Sequence, residues 1–412
     1  MEDQDRDHIS SRSHFSGRSD QELDEMLDEL RAGKIGINQP GQNSSEHDSE
    51  DTPEENDNAS GTGNAEKSKK GKSRKEGFNL RDEVISWIQV LVAAAIIAFC
   101  VNHFIIANSE VPTSSMETTI MAGDRVIGSR LSYKFGDPQR GDIAIFIYPD
   151  DEAKGIKTYY VKRIIGMPGD TIEIRDNQVY IDGVAAKNPE KMQLNYFVET
   201  DGSMLSEEQF RLLDVSKADR VLIDGSYNPQ YMSMLNIQPN ANGQYNPIYH
   251  FPLTQKTLEV AKKLPVVKRV VLEPDPVGTD SYYPVDYQTG WSRDNYGPLW
   301  IPKKGTTIPL TERNIALYKR CIVNYEHNKL EVKDSKVYIN GKPETTYTFK
   351  YDYYWMMGDN RHNSADSRSW GFVPEDHIVG KPIMIWLSLD KDRSLFDGGI
   401  RWNRMFRWVH PD

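Results

Sequence analysis

Apolar and polar positions change pattern three times along the chain. Residues 1–66 are polar with almost no aromatic side chains, and 84–106 form a mostly apolar run of 23 residues. Beyond that run, short stretches rich in Val, Ile and Tyr alternate with Asp, Asn and Gly, which is typical of strands joined by turns. The pattern predicts a disordered tail, one long helix and a mainly β domain.

Strands are predicted wherever the apolar stretches contain many β-branched and aromatic residues. These stretches are 142–148, 159–165, 171–174, 178–181, 266–272, 329–332, 336–339 and 382–387, with an aromatic strand at 351–355. Two short helices are predicted at about 206–213 and 254–264, the second ended by Pro265. The sequence TIEIRDNQVYIDG (171–183) is echoed by KLEVKDSKVYING (329–341), which predicts two β-hairpins of the same type.

The apolar run at 84–106 is long enough to cross a membrane. As a helix it would extend about 35 Å, against a hydrocarbon core of about 30 Å. Seven Lys and Arg residues lie between 67 and 81, whereas the first basic residue after the run is Arg125. Because positive charge stays on the cytoplasmic side, we expect a single anchor with a cytoplasmic N-terminus and residues beyond about 107 outside.

Charge is distributed unevenly along the 412 residues. The net charge is −11, but residues 1–66 alone hold 18 Asp and Glu against five Lys and Arg, so the rest is nearly neutral. A basic nucleic-acid-binding surface is therefore not expected. Two cysteines exclude a disulfide scaffold and a four-thiolate zinc site.

Within the tail, the capping-box spacing from Ser19 to Glu22 predicts a short helix, which either docks a partner or forms transiently.

Three segments contain residue types suited to catalysis. Ser115 lies in the sequence VPTSSM, shortly after the apolar run. Lys162 ends the apolar sequence YYVK, and a lysine buried in such a strand loses hydration, so its pKa falls and it can act as a general base. The third segment, 357–368, reads MGDNRHNSADSR, and its Arg and Asp residues indicate ion pairs.

Taken together, SSM, YYVKRIIGMPGD and MGDNRHNSADSRSWGFVP resemble the motifs of the bacterial type I signal peptidases, in the same order. The resemblance covers about 80–183 and 317–389. It implies a signal-peptidase-like coiled β-sheet with a catalytic domain in two parts, 107–183 and 317–389. Between them lies an insertion of unknown role at 184–316, and a C-terminal aromatic and basic segment follows at 390–412.

The resemblance also implies a Ser/Lys endopeptidase on the outer face of the cell membrane that removes signal peptides from exported preproteins. Its expected partners are preprotein signal peptides, the lipid bilayer and the export machinery, with no nucleic acid, metal or cofactor. The resemblance implies that Ser115 is the nucleophile and Lys162 the general base. It implies an oxyanion hole formed by the Thr113 hydroxyl and the Ser115 N–H, and a Ser364 hydroxyl that orients the lysine. The implied supporting charges are Arg163, Asp366 and Arg368.

Two positions depart from the family pattern. The family usually has proline at the position of Thr118 and often aspartate at that of His362. Val111, Met116 and Val161 flank the expected chemistry, and we expect them to line shallow pockets for the small residues before the cleaved bond.

Three alternatives remain open from the sequence. Lys319 shares a Lys-Arg pair with Lys162 and is a second candidate base. His362 and Asp366 are candidates for a Ser-His-Asp triad. An anchored protein that binds exported chains without cutting them is the alternative from another class.

The C-terminal segment, with Trp402 and Trp408 among arginines, predicts either an interfacial membrane contact or a final packed strand and helix.

Overall fold

The computed structural model of this chain describes residues 80–100, 106–275, 282–285, 287–390 and 399–410. The predicted acidic tail (1–66), its short helix and most of the basic segment (67–83) lie outside the described residues. The described chain falls into two units, one ending at Ala98 and the other beginning at Phe99.

Helix α1, Leu80–Cys100, covers much of the predicted membrane segment, and its residues up to Ala98 belong to the first unit. Ile106, the last residue of that segment, instead begins strand β1. Among the helices of the described residues, none combines the length and the apolar character needed to cross a membrane.

The second unit is mainly β, as predicted. Its largest sheet has eight strands in the order β1-β2-β20-β3-β4-β18-β19, with β21 paired to β20. These strands are β1 (Ile106–Glu110), β2 (Asp124–Ser129), β3 (Ile143–Ile147), β4 (Tyr159–Gly166), β18 (Tyr353–Met357), β19 (Val373–Pro374), β20 (Ile378–Ser388) and β21 (Arg407–Trp408).

The other described strands of this unit form four smaller sheets, in the orders β11-β8-β10-β9, β12-β5-β6-β7, β13-β17 and β14-β15-β16. Their strands are β5 (Thr171–Arg175), β6 (Gln178–Ile181), β7 (Val184–Ala185), β8 (Gln193–Thr200), β9 (Val221–Ile223), β10 (Ile248–Thr254), β11 (Val267–Leu272), β12 (Tyr296–Trp300), β13 (Thr307–Pro309), β14 (Leu330–Lys333), β15 (Lys336–Ile339), β16 (Lys342–Glu344) and β17 (Thr346–Thr348). The predicted insertion contains all of the β11-β8-β10-β9 sheet.

Both predicted helices are confirmed, and each begins at a capping box. Helix α2 (Glu207–Leu212) is capped by Ser206, and helix α4 (Gln255–Lys263) by Thr254. Three helices of the described second unit were not predicted: α3 (Pro229–Met234), α5 (Glu312–Arg320) and α6 (Ser367–Trp370).

The two predicted hairpins are also confirmed, as β5-β6 and β14-β15. Their two-residue turns have positive φ at both positions, 47° and 69° at Asp176 and Asn177, and 49° and 59° at Asp334 and Ser335. Such turns match the right-handed twist of the paired strands, and Asp and Asn tolerate them well. The shared turn chemistry explains the echo in the sequence.

The C-terminal segment packs on the large sheet. Arg404 is buried and donates to Asp124 Oδ2 at 2.6 Å, and β21 pairs with β20. A final strand is therefore confirmed, whereas the predicted final helix is only a 3₁₀ turn, Trp402–Arg404. Trp402, Phe406 and Trp408 remain exposed, so packing accounts for the arginine but not for these aromatic side chains.

Candidate active site

Ser115 lies on the turn between β1 and β2. Short-range hydrogen bonds shape this turn, including Glu117 N to Ser114 O at 2.9 Å and Ile120 N to Met116 O at 2.8 Å. The backbone N–H of Asn360 donates to Ser115 O at 3.1 Å, which ties the turn to the loop after β18. Ser115 is 6% exposed, so its hydroxyl is in a largely dry environment.

Lys162 lies in β4, opposite Ala144 of β3. Its Nζ atom is 2.5 Å from Ser115 Oγ and also donates to Val161 O at 3.2 Å. The residue is 2% exposed, and this burial lowers the pKa of Lys162 to about 8, although Asp366 and Asp359 act in the opposite direction. A minor fraction of the amine is therefore neutral near pH 7, and this amine lies within hydrogen-bond distance of the Ser115 hydroxyl.

Thr113 is exposed at the start of the same turn. Its Oγ1 atom is 3.2 Å from Ser115 Oγ. A hydroxyl at this distance is close to the place where a carbonyl carbon bonded to Ser115 Oγ would carry its oxygen. The geometry therefore allows Thr113 to donate to a developing negative charge beside the serine.

The supporting charges form two separate buried ion pairs. Arg163 donates from Nε and Nη2 to the two oxygens of Asp359, each at 2.8 Å. Arg368 donates from Nε and Nη2 to Asp366, at 2.9 and 2.8 Å. Asp359 was not among the expected site residues, although it lies in the polar segment 357–368 that the sequence singled out.

The two ion pairs hold the loop after β18 from both sides. Asp366 Oδ2 accepts from the backbone N–H of Gly358 at 3.1 Å, and Asp359 Oδ2 accepts from Thr119 Oγ1 at 2.8 Å. Because Thr119 belongs to the turn of Ser115, the second contact links β4, the loop and the serine turn. Asn360, a further contact that sequence reasoning missed, adds a hydrogen bond from Nδ2 to Ser114 O at 3.3 Å.

Ser364 lies at the far end of this loop and is half-buried. Its hydroxyl donates to Ala365 O at 3.5 Å. Gly358 lies against Ser364 Oγ and Ser115 O, where any side chain would clash with both, so the Ser364 hydroxyl is close to the serine turn. The hydrogen bonds of the described residues do not include one between Ser364 and Lys162.

The competing candidates lie elsewhere. Lys319 is an exposed residue in the last turn of α5. His362 contacts residues around the predicted insertion: Nδ1 accepts from the backbone N–H of Asn195 at 3.2 Å, and Nε2 is 3.0 Å from Asn177 Oδ1. Asp366 is paired with Arg368, so neither it nor His362 forms a triad with Ser115 in this structure.

The expected pocket residues are all buried. Val111, Met116 and Val161 belong to one apolar cluster, which also contains residues of β2, β3 and β20. Thr118 has φ of 68°, a left-handed conformation that a proline ring cannot adopt. Its Oγ1 donates to Lys191 O at 3.1 Å, so this departure from the family pattern has its own local contact.

No group of three or more His, Cys, Asp or Glu side chains in the described part of the chain is arranged to hold a metal ion. The chemistry available at this position is that of a serine hydroxyl beside a lysine amine of lowered pKa. In proteins, this combination generates an oxygen nucleophile.

Comparison with known proteins gives a consistent result. The family model described as "Signal peptidase, peptidase S26" matches residues 84–227 and 344–387. Signal peptidase I of Buchnera aphidicola subsp. Acyrthosiphon pisum (strain APS) is 26% identical over 324 residues, which cover 74% of this chain and 76% of that protein. Signal peptidase I of Bacillus amyloliquefaciens is 29% identical over 137 residues, 33% of this chain and 70% of that protein.

A third relative is signal peptidase IB of Staphylococcus aureus (strain COL), 28% identical over 151 residues, 36% of this chain and 74% of that protein. The fold, the site and these matches define a serine peptidase. The family-model match and the relatives support a bacterial type I signal peptidase, peptidase S26.

Proposed function

We propose that this protein is a membrane-anchored endopeptidase that cleaves signal peptides from exported preproteins, with Ser115 as nucleophile and Lys162 as general base. The relatives are named signal peptidase I, which supports the substrate class. The observation that carries the assignment of the two residues is the 2.5 Å separation of Lys162 Nζ and Ser115 Oγ in a buried setting.

In the proposed acylation step, neutral Lys162 accepts the Ser115 proton as Oγ attacks the scissile carbonyl carbon. The bond from carbon to the leaving nitrogen then breaks, and Lys162 returns the proton to that nitrogen. The depressed pKa of Lys162 suits both roles, since a base of pKa about 8 is partly neutral near physiological pH and still a competent acid once protonated. Lys162 later takes a proton from the water that hydrolyses the ester.

The oxyanion hole is assigned to the backbone N–H of Ser115 and the Thr113 hydroxyl. The 3.2 Å distance between Thr113 Oγ1 and Ser115 Oγ supports this assignment. Donors fixed in advance around the developing charge need no reorganisation during the reaction, which is why such sites contribute strongly to rate. Val111, Met116 and Val161 are proposed to shape the shallow pockets beside the dyad, supported by their shared apolar cluster.

The supporting residues are assigned to positioning. Arg163 is the neighbour of Lys162 in β4, and its pairing with Asp359 fixes β4 against the loop after β18. Asp366 and Arg368 fix the other end of that loop. Ser364 is proposed to orient the Lys162 amine during the reaction, supported by the position of its hydroxyl close to the serine turn.

Anchoring rests on the sequence pattern. The apolar run at 84–106 and the basic residues before it support a single span with the catalytic unit on the outer face of the cell membrane. Protection of the segment after the span from protease added to the cytoplasmic side, but not from protease added outside, tests this orientation. The reverse protection pattern would contradict it.

Cleavage of a preprotein tests the function directly. The detergent-solubilised full chain and a Ser115→Ala variant are incubated with a preprotein, and the N-terminus of the product is sequenced. We expect the wild type alone to cut after a small residue. A wild-type protein that binds the signal peptide but never cuts it would instead identify a non-catalytic binding protein.

A further inference from the structure

A cavity on the catalytic unit is lined by residues that do not include Ser115 or Lys162. Its volume is about 340 Å³. One part of its wall is apolar, formed by Ile164, Ile165, Val179, Ile181 and neighbouring small residues. The other part is basic, formed by Arg140, Arg163, Lys187 and Arg361, and no Asp or Glu of the described residues lines it.

Arg361 is the unusual member of this wall. The residue is 3% exposed, yet in the described part of the chain its guanidinium makes a single hydrogen bond, from Nε to Gly358 O at 3.2 Å, and no ion pair. Burial and the nearby Arg368 lower the pKa of Arg361 to about 10. A buried guanidinium is normally paired, because an uncompensated charge away from water is costly.

The surrounding charges do not supply the missing partner. The carboxylates that act on the Arg361 guanidinium in the described part of the chain are Asp359 and Asp366, and both oppose the lowering of its pKa. Both carboxylates already form two-point ion pairs, Asp359 with Arg163 and Asp366 with Arg368. Among the described residues, Arg361 therefore has no carboxylate partner of its own, although it borders the cavity.

The mouth of the cavity adds a second cation. Lys187 is exposed beside Val184 and Ala185, and its ammonium has no ion-pair partner among the residues described. Arg140, by contrast, is already paired with Asp170 at 2.7 Å. Two cations of the wall, Arg361 at the buried end and Lys187 at the mouth, thus have no ion-pair partner among the described residues. Each can therefore form an ion pair with a bound anion.

We propose that this cavity binds an organic oxyanion with a short apolar chain, a carboxylate or a phosphate monoester. Guanidinium groups bind both kinds of oxyanion through paired N–H donors. The apolar wall provides burial for the attached hydrocarbon, and the volume is within the usual range of small-molecule sites. The site is separate from the proposed Ser/Lys dyad, and its occupancy does not depend on the dyad's role.

Calorimetric titration of the full chain in an uncharged detergent tests the proposal. The probes are hexanoate and monohexyl phosphate, with 1-hexanol as the neutral chain and inorganic phosphate as the head group alone. We expect saturable one-to-one binding of at least one amphipathic anion and no saturable binding of 1-hexanol. The preferred anion distinguishes a carboxylate ligand from a phosphate ligand, and failure of both, or equal binding of 1-hexanol, would overturn the proposal.

Variants locate the site. Ala185→Trp fills the cavity and is expected to abolish binding, and Lys187→Gln is expected to weaken it about two- to fivefold, as for other partly exposed charge contacts. Lys342→Gln, a matched change of an exposed lysine in β16, should leave the Kd unchanged. Arg361→Met is expected to weaken binding at least about tenfold where the protein folds. Unaltered binding by Ala185→Trp would place the anion elsewhere and overturn the assignment.

Discussion

The Arg163 guanidinium and the Asp359 carboxylate lie 196 residues apart in sequence and form a fully buried pair with two hydrogen bonds of 2.8 Å. Arg163 directly follows Lys162, and Asp359 directly precedes Asn360, whose N–H holds the carbonyl of Ser115. The pair therefore sets the distance between the strand of the proposed base and the turn of the proposed nucleophile.

Asp359→Asn tests this positioning role. The substitution preserves shape but leaves Arg163 as an unpaired buried charge, so the free energy of unfolding should fall by about 3 to 5 kcal/mol. We expect a lower Tm and a lower kcat on a preprotein, with a smaller change in KM. Asp352→Asn, a change of a half-buried carboxylate outside the site, is the control, and a wild-type kcat in Asp359→Asn would contradict the role.

Thr113→Val tests the oxyanion hole. Valine keeps the shape of the side chain but removes the hydroxyl, so we expect kcat to fall about 10²- to 10³-fold, as when one oxyanion donor is lost. Thr113 is exposed, and the Tm should remain close to that of the wild type. Thr113→Ser restores a donor and should recover most of the activity; equal loss in the serine and valine variants would rule out donation by this hydroxyl.

Thr118→Pro tests the backbone conformation of the serine turn. Proline matches the family pattern at this position, but its ring fixes φ near −65°, whereas Thr118 has φ of 68°. We expect proline to lower the Tm by several degrees, because the turn must rearrange. Thr118→Gly tolerates positive φ at the cost of one hydrogen bond and should stay near the wild-type Tm. A proline variant as stable as the wild type would mean that the turn adopts another conformation.

His362→Gln and Lys319→Ala separate the proposed dyad from its competitors. Neither side chain contacts Ser115 among the described hydrogen bonds, so kcat should stay within about tenfold of wild type, whereas loss of a triad histidine costs orders of magnitude more. His362→Gln should lower the Tm, since the Asn195 amide loses its acceptor. A loss of kcat of about 10⁴-fold in either variant would transfer the role of base to that residue.

The sequence predicted the local elements well. Strong periodicity and turn chemistry are local properties, so the hairpins at 171–183 and 329–341 and the helix beginning at Gln255 agree with the structure. Strand β20 begins at Ile378, earlier than the predicted 382, because its start is defined by pairing with β3 rather than by its own composition. Helix α5 (Glu312–Arg320) was not predicted from the local sequence pattern.

The site was predictable only in part, for the same reason. The resemblance named Ser115, Lys162 and the charged residues, because these occur in recognisable local motifs. The pairing of Arg163 with Asp359 and the contact of Asn360 with Ser115 depend on which strands become neighbours in the large sheet. The hydrogen bond between His362 and the Asn195 N–H likewise forms only when the insertion at 184–316 packs against the loop after β18. No local sequence pattern indicates this packing.

The pH dependence of kcat/KM tests the central claim most directly, since it measures whether a lysine of lowered pKa removes the Ser115 proton. Burial lowers the pKa of Lys162 from 10.5 to about 8. Because the protonated amine cannot act as a base, the rate should fall about tenfold per pH unit below that value and level off above it. Lys319→Ala should give the same profile and Lys162→Met no cleavage at any pH. Three results would contradict the account. They are a kcat/KM that does not change between pH 5 and 10, a kcat/KM that rises with an apparent pKa near 10.5, and full activity in Lys162→Met.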